Sequence, residues 1–152
     1  VQKIKPCLWF DTQTEEAIAF YTSLFGDSAV GDVMRAGDDG PVISATFRLA
    51  GQEFMALNGG PAFNFTEAIS LMVRCEDQAE VDRLWDALTA DGGEESRCGW
   101  LKDRFGLSWQ IIPDRLMELL SDPDPARAQR ATQAMLQMQK IDVAALEAAA
   151  AG

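Results

Sequence analysis

One pattern of residues occurs twice in this 152-residue chain, and any fold must satisfy both copies. From Lys5 to Phe25 the chain reads K-P-C-L-W-F-D-T-Q-T-E-E-A-I-A-F-Y-T-S-L-F. A short apolar strand ends near Phe10. Thr12, with Glu15 three residues on, predicts a capping box, in which each side chain satisfies an end amide of the new helix. Ala17, Ile18, Tyr21, Leu24 and Phe25 recur at helical spacing, and Gly26 stands where a helix stop belongs. From Ile69 to Leu88 the order returns: strand, polar break, helix. Asp77 and Glu80 repeat the cap, Val81, Leu84, Trp85 and Leu88 the stripe, Gly92 and Gly93 the stop. Each copy closes on a strand opened by glycine, G-Q-E-F-M-A-L from Gly51 and G-L-S-W-Q-I-I from Gly106, with an aromatic three residues later. One helix beside one strand cannot bury both apolar faces, so each copy must be a larger unit of one helix and several strands.

The intervening residues supply those strands. Residues 28–36 and 40–50 alternate weakly around G-D-D-G, which predicts a hairpin at Asp39-Gly40. Ala45, Phe47 and Leu49 fall on one face, Thr46, Arg48 and Ala50 on the other. Arg97 to Lys102 reads as a strand, and Pro113 stops the last one. The expected division is a first module at 1–62, a second at 67–113 and C-terminal helices at 114–152, within one compact domain. Helices are expected near 12–25 and 77–91. In the tail, Asp124 with Pro125 opens one helix and Asp142 another. Their apolar sides, Ala128, Ala131, Met135 and Met138, can cover a sheet edge or a partner.

Composition excludes several classes of function. The formal net charge is −11, which opposes a nucleic-acid partner because phosphate needs positive surface. No apolar run is long enough to span a bilayer and no secretory signal is visible, so no membrane partner is expected. Cys7, Cys75 and Cys98 form no C-x-x-C pair, and an odd number of cysteines suits a reduced, cytoplasmic protein.

With these motifs in place, the chain resembles the vicinal-oxygen-chelate superfamily of glyoxalase I, bleomycin-resistance proteins and extradiol dioxygenases. Within it, the resemblance is to the branch labelled 3-demethylubiquinone-9 3-methyltransferase or glyoxalase-like. The residues that carry it are P-C-L-W-F-D, E-E-A-I-A-F-Y-T-S-L-F, G-Q-E-F-M-A-L-N-G-G-P, S-L-M-V-R-C-E-D-Q-A-E-V-D-R-L-W and C-G-W-L-K-D-R-F-G-L-S-W-Q-I-I-P. It implies an α+β fold of two β-α-β-β-β modules forming a curved, mostly antiparallel mixed sheet around a cavity, and a homodimer.

The resemblance also implies four metal-ligand positions. They fall at Cys7, Ser70, Met55 and Gln110, where metal-binding members carry His and Glu. The chain has no histidine. Thiol, hydroxyl, thioether and amide offer no carboxylate for a hard cation, so no metal and no other cofactor is expected. Glu53, which shares strand parity with Met55, is the nearest alternative ligand. A methyl donor would need a glycine-rich turn leading into a helix. Asn58-Gly59-Gly60-Pro61 leads instead into a stretch with Phe63 and Phe65.

Strand alternation leaves a candidate binding cavity. Cys7 and Trp9 share a face with Lys5; Ser70, Met72 and Arg74 share another; Ser108 and Gln110 join them with Ile112. An apolar body with a few polar groups suits a small organic ligand of unknown identity. Glu94, Glu95, Asp103 and Arg104 read as ordinary surface. Two functions remain open: a metal-free small-molecule binding protein, or a superfamily enzyme with unusual ligands.

Overall fold

Strand, helix and three strands follow one another twice. The structure, a computed structural model, describes residues 2–152 and divides into two units, one ending at Phe65 and the other starting at Thr66. The first unit contains β1 (Cys7–Phe10), α1 (Thr14–Leu24), β2 (Ala29–Arg35), β3 (Val42–Leu49) and β4 (Gln52–Asn58). The second contains β5 (Ser70–Cys75), α2 (Gln78–Thr89), β6 (Glu94–Glu95), β7 (Trp100–Lys102) and β8 (Ser108–Pro113), then α3 (Asp114–Leu120), α4 (Pro125–Met135) and α5 (Val143–Ala151). The sheet orders are β1-β4-β3-β2 and β5-β8-β7-β6. In each sheet the first and last strands of the module pair in parallel and the other pairings are antiparallel. The fold is therefore α+β, two βαβββ modules with mixed, mostly antiparallel sheets and a helical tail, as the repeat predicts.

Side-chain parity explains each layer. In the first unit Leu8, Phe10, Ala45, Phe47, Phe54 and Ala56 are buried, as are Ala17, Ile18 and Tyr21 of α1. In the second, Leu101, Trp109 and Ile111 are buried with Val81, Leu84, Trp85 and Leu88 of α2. Each large apolar side chain so buried contributes about 1.5–3 kcal/mol, whereas a helix cap contributes about 1 kcal/mol. The stripes, more than the caps, hold each helix to its sheet.

The caps differ between the copies. Asp77 accepts from the Glu80 amide at 2.9 Å, as its spacing predicts, and Glu80 reaches back to the Glu76 amide at 2.8 Å. The Thr12–Glu15 box does not form. Helix α1 starts at Thr14 behind an uncapped Gln13, and the Thr14 amide donates to Asn58 Oδ1 at 3.0 Å. The cap comes from the end of β4, while Glu15 pairs with Arg35 at 2.7 Å. Gly26 is not the helix stop either: Phe25 is already extended, and the left-handed residue is Asp27 (φ 49°).

The expected strand from Arg97 to Lys102 is shorter. Cys98 (φ 57°) and Gly99 (φ 84°) turn the chain, and their amides donate to the Met138 and Gln139 carbonyls at 2.8 Å each. Only Trp100–Lys102 continues as β7. The tail helices meet one another and the end of β8: Ile112, Leu116, Leu119, Ala131, Ile141, Leu146 and Ala150 form one buried cluster, with Met135 and Met138 against it. Asp124 and Asp142 cap α4 and α5 through the Ala126 and Ala145 amides. Among the described residues, no helix is long and apolar enough to cross a membrane.

Candidate functional site

Each sheet turns one face to its helix and leaves the other open, and the open faces carry the predicted residues. In the first unit Cys7 stands opposite Met55 across the parallel β1–β4 pair, with Trp9 opposite Leu57. The Cys7 thiol is exposed by area, yet partial burial of the sulfur pushes it up, so it is neutral at physiological pH. Met55 also lines a cleft of about 370 Å³ with Asp32, Val33, Met34, Ser44, Ala45 and Thr46. Glu53 faces Lys5 at 3.9 Å.

Trp9 explains the glycine pair after β4. Its indole N–H donates to the Gly60 carbonyl at 2.9 Å, and any side chain at Gly59 would overlap its ring. Phe63 packs edge-on against it, with ring centroids 4.9 Å apart. The Gly59 and Gly60 amides donate to the Phe10 and Asp11 carbonyls. A methyl donor does not fit here, since the glycine amides are engaged and no helix follows them.

In the second unit Ser70 stands opposite Ser108 and Met72 opposite Gln110. Gln110 Nε2 donates diagonally to Ser70 Oγ at 3.0 Å. Ser108 is 1% exposed and its hydroxyl has no hydrogen-bond partner. Arg74 leaves this group: its guanidinium pairs with Asp114 at 3.0 Å, at the start of α3. Ile112, expected on the same face, is buried among the tail helices.

Asp103 is not ordinary surface. It is 2% exposed, and its carboxylate accepts from the Phe105 amide at 2.9 Å, the Leu107 amide at 3.1 Å and Trp109 Nε1 at 2.9 Å. A buried carboxylate survives when donors surround it, and these donors fold the loop between β7 and β8 around one side chain. Glu95 is likewise engaged, accepting from Trp85 Nε1 at 2.6 Å. The sequence held one signal for Asp103, its place two residues before Phe105 and four before Leu107, the spacing of an Asx turn. Nothing local signalled the ion pair of Glu67 with Lys102, 35 residues apart in the chain.

Residues 2–112 match the family model of 3-demethylubiquinone-9 3-methyltransferase. The chain belongs to this family. A candidate 3-demethylubiquinone-9 3-methyltransferase, PhnB protein, from Bacillus cereus is 38% identical over 74% of this chain and 99% of its own, with a TM-score of 0.68. Protein PA1353 from Pseudomonas aeruginosa shares the fold at 24% identity and a TM-score of 0.61, over 75% of this chain and all of its own. The fosfomycin resistance protein FosX from Listeria monocytogenes, complexed with Mn(II) and sulfate, shares it at 15% identity and a TM-score of 0.52, over 72% of this chain and 89% of its own. No curated protein matches the chain. The 3-demethylubiquinone-9 3-methyltransferase family thus places the chain in the vicinal-oxygen-chelate superfamily.

A divalent metal does not fit the four positions that the superfamily implies. Cys7 is a neutral thiol, Met55 a thioether, Ser70 a hydroxyl already bonded to Gln110, and Gln110 an amide. Among the described residues, no group of three His, Cys, Asp or Glu side chains can hold a metal ion. A catalytic site needs anionic or imidazole donors in a fixed shell.

Proposed function

We propose that this member of the superfamily binds small organic ligands without a metal on the open face of each sheet, through Cys7, Trp9 and Met55 in the first unit and Ser70, Met72, Ser108 and Gln110 in the second. The observation that carries the reading is the Gln110–Ser70 hydrogen bond. At positions where metal-binding relatives place charged or imidazole ligands, this chain builds a neutral amide–hydroxyl pair, flanked by Met72 on the neighbouring strand. Such a surface recognises ligands by apolar contact and a few directed hydrogen bonds. Bleomycin-resistance members of the superfamily follow the same logic of sequestering rather than transforming.

Two companion statements belong to the proposal. The three free cysteines suit a reducing cytoplasm. Exposed Val30, Val33, Met34 and Ile43 on β2 and β3 give a homodimer an apolar surface to bury. Light scattering tests the dimer.

The test of function is equilibrium binding of small planar aromatic amphiphiles with and without a strong chelator. Binding is expected to be indifferent to the chelator and to weaken about tenfold in Gln110→Ala, which leaves Ser70 without its donor. Binding that requires added zinc, nickel, iron or manganese would sink the proposal and favour an enzyme with unusual ligands.

A further inference from the structure

A cleft of about 180 Å³ opens beside β6 and β7, with Glu67, Glu94, Glu95, Trp100, Lys102 and Ser108 in its lining. Pairing register builds it: Ser108 stands opposite Lys102, and Lys102 opposite Glu94, so the three form one row across the sheet. Two features do not explain themselves within the fold. The Ser108 hydroxyl is buried, lines the cleft and has no partner, although buried hydroxyls are nearly always hydrogen-bonded. The charges lining the cleft are also unbalanced, with three carboxylates to one ammonium.

Lys102 does not remove that imbalance. It is ion-paired with Glu67, which holds the Glu67 carboxyl below its usual range and the Lys102 ammonium above its own. Glu95 accepts from Trp85 Nε1, a neutral donor that brings no positive charge to the cleft. Glu94 has no such partner in its row except Lys102, already taken by Glu67. The site therefore presents surplus negative charge beside an aromatic side chain, Trp100, and a hydroxyl able to accept. A bare divalent ion is the wrong guest, because no three acidic side chains among the described residues converge as a metal site. Charge spread along a wall suits a larger cation whose body also contacts an aromatic ring.

We infer that this cleft binds a small organic ammonium, a primary amine on a compact apolar body, with its N–H groups donated to Ser108 Oγ and Glu94 and its body against Trp100. The inference rests on the second sheet's open face being a ligand face, and it names the chemical class of that ligand. The cleft lies below the range typical of drug-sized pockets, which sets the body at about one ring.

Calorimetric titration of the full chain at pH 7 and low salt with benzylamine, benzyl alcohol and benzoate tests it. Benzylamine is expected to bind about tenfold tighter than benzyl alcohol, and benzoate not at all, since a charge-assisted hydrogen bond carries about that factor. Glu94→Gln is expected to weaken benzylamine about tenfold and leave benzyl alcohol unchanged. Ser108→Ala is expected to weaken benzylamine while leaving the melting temperature of the free protein equal or higher, because it deletes an unpartnered buried hydroxyl. That opposition between binding and stability is not produced by a merely structural serine. Benzylamine binding no tighter than benzyl alcohol, or unaltered by Glu94→Gln and Ser108→Ala, would overturn the inference. In that case aromatic amphiphiles that still bind, and weaken in Gln110→Ala, leave the broader ligand-binding proposal standing; a chain that binds none of them loses both.

Discussion

The two modules share one connectivity and solve its details with different chemistry. The first connects β3 to β4 by a two-residue turn, Ala50 and Gly51, both left-handed (φ 47° and 82°). The second connects β7 to β8 by a longer loop wound around the buried Asp103 carboxylate. The first helix borrows its cap from Asn58 on β4, whereas the second carries its own in Asp77. The first hairpin is long, with β2 exposed along its length; the second is cut to two and three residues and held by the tail. The apolar stripes and the parallel pairing of first and last strands are what the copies keep. The repeat is therefore enforced by burial, and polar chemistry is free to diverge wherever burial does not depend on it.

The sharpest way to break this contrast is to remove the anchor that only the second module has. Asp103→Ala leaves the Phe105 and Leu107 amides and Trp109 Nε1 without an acceptor in a buried loop. Hydrogen bonds to a charged group contribute about 1.5–3 kcal/mol each, and stranded donors cost more. Urea denaturation is expected to show a loss of about 3 kcal/mol or more. A loss under about 1 kcal/mol would mean that the loop holds without its carboxylate.

Cysteines sharpen the comparison next. Cys7 opens the first strand of module one and is exposed; Cys75 ends the first strand of module two and is fully buried. Burial, reinforced by Glu80, pushes the Cys75 thiol up to about 12 from an ordinary 9.0. The folded state thus holds a proton that the unfolded state releases, so this contribution is complete below pH 9 and is lost as pH rises toward 12. Relative to Cys75→Ala, the native chain should lose about 1 kcal/mol of stability between pH 9 and 10, read from urea midpoints. Parallel curves for the two proteins would refute the burial argument.

Most of the architecture was legible because it is written in parity and spacing. Val81, Leu84, Trp85 and Leu88 announced α2, and Ala45, Phe47 and Leu49 announced the inner face of β3, since alternation is what burial selects. The misses share a cause. Thr12 looked like a cap because Glu15 follows it, but Asn58, 44 residues on from Thr14, took the task. Asp103 looked like surface because acidic residues in turns usually are, and its partners are mostly backbone amides that any sequence would supply. Arg74 sat on the right face by parity, yet Asp114 beyond the end of the sheet captured it. The row of Ser108, Lys102 and Glu94 was legible by parity once the short strands were known, and the strand expected from Arg97 obscured it.

The cap contrast gives a paired test of smaller effect. Asp77→Ala should cost about 1 kcal/mol, and Gln13→Asp should add somewhat less, because it offers α1 the local cap it lacks. Both are read from thermal midpoints. No gain from Gln13→Asp would mean that Asn58 already satisfies the start of α1.

The smallest effect belongs to the β3–β4 turn. An L-residue in the left-handed region brings its Cβ close to the following carbonyl, at a cost of about 1–2 kcal/mol. Ala50 bears that cost at φ 47°, while its neighbour Gly51 does not. Glycine at position 50 would remove the clash but give the unfolded chain more freedom, which returns about 0.5–1 kcal/mol. The difference predicts that Ala50→Gly stabilises the protein by about 0.5 kcal/mol, measured by urea denaturation with replicate midpoints. Gly51→Ala should do the reverse, placing a second Cβ in the strained region and within 3.1 Å of Asp27 Oδ2. The signs must be opposite if backbone strain governs this turn. Two destabilised variants would mean instead that the Ala50 side chain makes a contribution that outweighs its own strain.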